Sequence, residues 1–91
     1  MPPSDSRSWW VYILRCGDGT LYTGIALDVP ARLAQHRAGT GAKYTRGREP
    51  LELVYQEASP SRSAATRREA AIKRCSRGAK LALVQSMGMP E

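Results

Sequence analysis

The 91-residue chain contains no asparagine, a single histidine (His36) and only two cysteines, Cys16 and Cys75. One histidine and two dispersed cysteines without a CxxC pair leave a structural zinc site without a ligand set. The two cysteines fall at expected element ends and read as reduced, partly buried thiols in a cytosolic protein. No apolar run approaches the ~18 residues of a membrane span. Residues 1–8 are polar and hold two prolines, which is not the pattern of a signal peptide. There is no internal repeat. Acidic residues are also scarce, eight against fourteen Lys and Arg, and Glu69 is the only one between Glu57 and Glu91. A cytoplasmic protein without a membrane partner is expected.

What is present fits one small folded domain. A chain of this length buries roughly 60–65% of its unfolded surface, leaving room for one sheet with a layer of helices and little more. Hydrophobic residues make up 42%, which argues for a globular chain. The net charge is +6, and eleven of the fourteen cations are arginine. Arginine grips phosphate in a fork, so a basic, arginine-rich domain points to a polyanionic partner, namely nucleic acid. The plainer alternative is a basic surface kept for solubility.

The centre of the chain is Trp10-Val11-Tyr12-Ile13-Leu14-Arg15 and Leu21-Tyr22-Thr23-Gly24-Ile25, two β-branched and aromatic runs around Gly17-Asp18-Gly19. This reads as a hairpin with a three-residue loop. Cys16 then faces Thr20, Leu14 faces Tyr22 and Tyr12 faces Gly24. Side chains alternate with period two, so both phenols emerge on one face, with room over Tyr12 because Gly24 has no side chain. A two- or four-residue loop would put them on opposite faces.

In order, 1–8 is expected to be a flexible arm, 9–87 the folded domain and 88–91 a fraying tail. Strands are expected over about 9–15 and 21–27. Asp28 caps a helix from Val29 to Ala38, with Pro30 in its first turn and Gly39 after its end. Val29 and Leu33 share one stripe of this helix, toward the sheet. Arg32 and His36 are neighbours on another. The glycine-rich, basic segment from Gly39 to Arg48 follows, with one helical turn near Ala42 to Tyr44. It sets Tyr44 among Lys43, Arg46 and Arg48, which suits backbone contact plus stacking; the alternative is a solvated loop. A third strand is expected over Leu51 to Gln56. Ser59-Pro60 then opens a helix that runs to about Arg77 and stops at Gly78. A last helix, about Ala79 to Met87, packs Leu81, Leu83 and Val84 on the core. The order is β-β-α-β-α-α, an α/β (α+β) chain.

Four polar groups stand where such a fold can gather them: Tyr12, Tyr22, Arg32 and Glu69. Singly, each has a dull explanation. A strand tyrosine usually sends its hydroxyl to water. Arg32 suits a helix surface. Glu69 precedes Lys73 by four and makes a helix pair of only ~0.2–0.5 kcal/mol. Together they match a pattern. Val11-Tyr12, then Tyr22-Thr23-Gly24, then Arg32 ten residues on, then Glu69 resembles the GIY-YIG nuclease family. The segments Tyr-Ile-Leu-Arg-Cys, Tyr-Thr-Gly-Ile, Gly-Ala-Lys-Tyr-Thr-Arg, Leu-Val-Tyr, Arg-Arg-Glu and Ile-Lys look like its small stand-alone bacterial YhbQ-like group. They are also similar to the nuclease domain of the SLX-type structure-specific endonuclease subunit. The likeness covers about residues 9–84. Trp10 opens the first triplet and Thr23 replaces the isoleucine of the second.

The resemblance implies a small three-stranded antiparallel sheet flanked by helices and metal-dependent hydrolysis of phosphodiester bonds. It implies that Glu69 holds Mg2+, with Mn2+ as an alternative, and that Arg32 binds the scissile phosphate. Tyr22 would activate water, Tyr12 would orient phosphate or water, and His36 would support them. Lys43 and Tyr44 would contact the nucleic acid, and the basic loop adds Arg46 and Arg48 as candidate contacts from its own composition. A free phenol titrates near 10, so a tyrosine base at neutral pH needs a cation beside it. Many nucleases of the family place an asparagine late in the chain, where Gln85 and Ser86 are the polar residues here. The expected partner is DNA, with RNA as an alternative. No appended recognition domain is expected in a chain this short, so selectivity would rest on substrate shape or on a protein partner. The alternatives are a catalytically weak nucleic-acid-binding module on the same scaffold and, with least support, a protein-interaction module.

Overall fold

A computed structural model of the chain describes residues 8–86. The arm expected over 1–8 (all but Ser8), Met87 and the tail expected over 88–91 lie outside the described residues. The elements are β1 (Trp9–Arg15), β2 (Leu21–Ala26), α1 (Val29–Arg37), a single 3-10 turn (Lys43–Thr45), β3 (Glu52–Ser59), α2 (Arg62–Lys73) and α3 (Arg77–Ser86). They follow the expected order β-β-α-β-α-α.

The three strands form one antiparallel sheet of order β2-β1-β3. The hairpin register is the one the three-residue loop predicts: Tyr12 lies opposite Gly24 and Leu14 opposite Tyr22. Cys16 N–H donates to the Thr20 carbonyl at 2.8 Å, and Gly19 closes the loop at φ +86°, a left-handed position that glycine fills without strain.

The sheet is flanked by helices as expected, and they exceed the one layer that chain length suggested. Helices cover both faces of the sheet, because the central strand is apolar on both. Val11, Tyr12, Ile13 and Leu14 are each at most 1% exposed. Val11 and Ile13 pack with Tyr55, Ala65 and Ile72, joined by Leu83 and Val84 of α3. Tyr12 and Leu14 pack with Ala26 and Val29, joined by Leu33 of α1.

β3 runs three residues past the expected Gln56. A bulge opposite Ile13 and Leu14 leaves Val54 without its own partner on β1. Leu53 then joins the α1-side cluster while both Val54 and Tyr55 join the other, which seats three consecutive apolar residues on two faces. Ser59 is therefore the last residue of a strand, and Ser61 caps α2, accepting from Ala64 N–H at 3.0 Å.

α2 also stops earlier than expected, at Lys73, and Gly78 lies inside the first turn of α3 instead of ending α2. Ser76 makes the difference: its hydroxyl accepts from Ala79 N–H at 3.2 Å and its carbonyl from Lys80 N–H at 3.0 Å, starting a new helix two residues before the glycine. α1 matches its expected ends. The Asp28 carboxylate accepts from Ala31 N–H at 3.0 Å, and Gly39 at φ +82° closes a turn in which Thr40 N–H reaches the Gln35 carbonyl.

Candidate active site

The hairpin and α1 together place the first group of side chains. Tyr12 and Tyr22 sit two ladder positions apart on the same face of neighbouring strands, their ring centroids 6.3 Å apart. Gly24 makes this closeness feasible, since a Cβ there would stand 2.6 Å from the Tyr12 hydroxyl. α1 crosses that face and lowers His36 onto the phenols. His36 is completely buried, and its Nε2 lies 2.8 Å from the Tyr12 hydroxyl. The Tyr22 ring meets the imidazole edge-on at 5.3 Å.

Behind His36 the 3-10 turn supplies Thr45, also completely buried, with Oγ1 2.8 Å from Nδ1. Thr45 donates its own proton to the Ala42 carbonyl at 3.0 Å. Its oxygen is thus left to accept from His36 Nδ1–H, and Nε2 is left to accept from Tyr12. A longer contact, Ala42 N–H to Nδ1 at 3.4 Å, favours the opposite tautomer. The shorter bond decides for a proton on Nδ1. Gly41 lets the loop close this tightly, since a Cβ there would stand 2.5 Å from Nδ1.

Arg32, one turn before His36, lies near enough to the Tyr12 phenol for its charge to favour the ionised form. It donates to Gln35 Oε1 at 2.8 Å. Glu69 comes from α2, which packs against β2 and brings the carboxylate within electrostatic reach of the same phenol. Its side chain is 21% exposed and accepts from Lys73 Nζ at 3.2 Å, the helix pair that the four-residue spacing foretold. Tyr12, Tyr22, Arg32, His36 and Glu69 are thus gathered at one place.

Burial pushes the Tyr12 phenol up to about 12, with the Tyr22 phenol and Glu69 acting the same way and Arg32 opposing them. Tyr12 is a proton donor at neutral pH. Burial first, and Arg32 second, hold His36 below its ordinary value, so the ring is neutral and able to accept that proton. The arrangement can bind an anion at Arg32 and holds the Tyr12 hydroxyl in one orientation through His36 and Thr45.

The basic segment divides. Tyr44 lies stacked on Tyr22 at 5.7 Å, so it belongs to the site. Arg48 is engaged within the protein: its guanidinium pairs with Asp18, donates to the Tyr44 carbonyl at 2.6 Å and covers the Tyr44 ring at 4.4 Å. Thr20 and Arg48 hold the Asp18 carboxyl down to about 2. Lys43 and Arg46 are exposed.

Sequence reasoning passed over Thr45, Lys73 as a site neighbour, and Lys80. Only the Glu69–Lys73 spacing offered a signal; nothing local marks Thr45 or Lys80. Of the two late polar residues, Gln85 lines a hollow with Arg15 and β3 on another side of the sheet, and the Ser86 hydroxyl donates to the Leu83 carbonyl. Neither reaches the phenols. Lys80 is the α3 side chain that shares a hollow with Tyr22.

The profile of the GIY-YIG catalytic domain matches residues 8–81. The chain belongs to the GIY-YIG family. A UPF0213 protein of Cupriavidus pinatubonensis is 49% identical over 88 residues, 97% of this chain and 98% of that protein. A UPF0213 protein of Natronomonas pharaonis is 56% identical over 75 residues, covering 82% and 88%. The solution NMR structure of a UPF0213 protein from Bacillus halodurans is 48% identical, covers 91% of this chain and 88% of its own, and superposes with a TM-score of 0.59. A second NMR structure, of a protein from E. faecalis, is 35% identical, covers 94% and 92%, and gives 0.63. GIY-YIG domains are nuclease domains in general: hydrolases with nucleic acid as substrate class, generally used with divalent metal ions.

For such an ion the GIY-YIG site offers one carboxylate, Glu69. No group of three or more His, Cys, Asp or Glu side chains able to hold a metal occurs among the described residues. Mg2+ accepts one or two carboxylates plus waters and a substrate phosphate, so the donor set fits an ion that the substrate completes.

Proposed function

We propose that this GIY-YIG protein is a metal-dependent endonuclease that hydrolyses phosphodiester bonds in DNA. It would be selective for the shape of the substrate, alone or with a protein partner, rather than for its sequence. DNA repair or recombination in the cytoplasm is its setting. The observation that carries this reading is the Tyr12 hydroxyl: a histidine bonds it, and an arginine and a carboxylate from two different helices act on it. Two helices and a strand, remote in sequence, have no structural need to meet at one phenol.

In this reading Glu69 would hold Mg2+, or Mn2+, which would supply Lewis-acid chemistry toward a phosphoryl oxygen. Arg32 binds the scissile phosphate and neutralises its growing charge. Tyr22, the phenol next to Lys73, takes the proton of the attacking water. Tyr12 stays protonated, orients phosphate or water by donation, and is itself oriented by His36. Lys43 and Arg46 contact the backbone, Tyr44 supports Tyr22, and Arg48 keeps the loop in place beside the strand. The catalytically weak binding module is the second reading, favoured by one observation: Lys73 already occupies Glu69, the one carboxylate at the site among the described residues.

Incubation with labelled branched and linear DNA, in Mg2+, Mn2+ or EDTA, decides between them. The expected result is metal-dependent cleavage, abolished in Glu69→Gln with binding retained. Binding without cleavage under any metal sinks the enzyme and leaves the module.

A further inference from the structure

The free edge of β2 carries a hollow of about 380 Å3 lined by Leu21, Tyr22, Thr23, Tyr44, Lys73 and Lys80. Two of the chain's three lysines meet there from different helices, and no carboxylate lines it. Two groups at the hollow lack partners. Lys80 is half-buried, and none of the ion pairs among the described residues includes it. Thr23 is 3% exposed, and among the described residues its Oγ1 is the buried side-chain polar atom without a hydrogen-bond partner. A buried hydroxyl without a partner costs stability, and the Lys80 ammonium has no counter-ion among the described ion pairs. One anion in the hollow partners both, the hydroxyl by rotating toward it. Lys73 adds a second charge: its Nζ, 3.2 Å from Glu69, also lies 5.9 Å from the Tyr22 ring centroid.

We propose that this hollow is a second phosphate subsite. It takes a phosphodiester of the bound strand next to the one at Arg32. Lys80 and Lys73 supply the charge, and the Thr23 hydroxyl donates to a non-bridging oxygen. Tyr22 is the shared wall between the two positions. The inference rests on the nucleic-acid reading above and extends it to Lys80 and Thr23, which that reading leaves idle, and to a further role for Lys73.

Binding of a fluorescent oligonucleotide in EDTA, over a salt series, tests the subsite without cleavage. Each phosphate contact contributes about 0.7–0.9 to the slope of log K against log salt. Lys80→Met should weaken binding and flatten the slope by about one such increment; Lys80→Arg should restore both. Thr23→Val should weaken binding with the slope unchanged, while unfolding at or above the parent temperature. Thermal unfolding of every variant establishes that it is folded. A folded Lys80→Met with an unchanged slope overturns the subsite, whether or not DNA is cut. A flattened slope without cleavage in any metal upholds the subsite and removes the nuclease reading. No binding by the parent protein removes both. Inorganic phosphate at matched ionic strength separates the sources. If it saturates the amide shifts of residues 21–23 and 80 as tightly as the oligonucleotide does, the hollow is a free-anion site and the assignment to a strand fails.

Discussion

His36 has no exposed surface and uses both ring nitrogens, facing Tyr12 and Tyr22 from the sheet, Thr45 from the loop and Arg32 from its own helix. Burial and then Arg32 hold its pKa below the ordinary 6.5. In the interval beneath 6.5 the unfolded chain binds a proton that the folded one refuses. The stability contributed by the neutral ring is therefore full above pH 6.5 and lost as pH falls through that interval. Tyr12 runs the opposite way. Its folded value of about 12 lies above the unfolded 10, so its contribution is full below pH 10 and lost as pH rises toward 12. Urea midpoints measured from pH 5 to 8 should fall on the acid side. They should flatten in His36→Gln, which keeps hydrogen-bonding groups for Tyr12 and Thr45 but does not titrate. The same acid slope in that variant would mean that another group titrates there.

At the scale of elements, the hairpin determines the phenol pair and α1 closes it. Gly24→Ala tests the coupling. Its Cβ would press on the Tyr12 hydroxyl and ring from the neighbouring strand, and overpacking of this kind costs about 1–3 kcal/mol. For a domain of this size each kcal/mol lowers Tm by about 4–8 °C. The change should also shift the His36 ring signals, because the Tyr12–His36 bond has to give way. A normal Tm with unaltered His36 signals would show that the pairing of the strands is looser than described. The elements also show where local reading stops. Asp28 and Gly39 bracket α1 as their residue types predict. Ser59, Ser61 and Ser76 are equally good caps by type. Which of them caps depends on the β3 bulge at Val54 and on α3 turning back to lay Leu83 and Val84 on the core.

For the whole molecule the net charge of +6 sets how it meets a polyanion. If four to six phosphates are neutralised, log K for DNA should fall with log salt at a slope of about −4 to −5. A slope near zero would count against any nucleic-acid function. Arg32→Ala should lower turnover more than affinity. Lys43→Ala and Arg46→Ala, changes at exposed cations, should weaken binding with turnover of bound substrate kept. The reverse ranking would move the site to another face.

By itself the sequence determined the hairpin, its register and the shared face of Tyr12 and Tyr22, because period-two alternation and a loop of three residues are local properties. It likewise determined that Arg32 and His36 are neighbours and that Glu69 pairs with Lys73, since helix geometry joins residues four apart. Only the tertiary structure decided that His36 hydrogen-bonds a phenol 24 positions away and rests on Thr45. The same holds for Glu69 arriving beside those phenols from the opposite helical layer, and for Lys80 sharing a hollow with Tyr22. These meetings follow from how α1 and α2 pack on the two faces of a sheet and reach around its β2 edge. Packing of that kind is set by the summed burial of Val11, Ile13, Ala65 and Ile72 on one side and of Leu14, Ala26 and Val29 on the other. No residue announces it through its nearest neighbours in the chain.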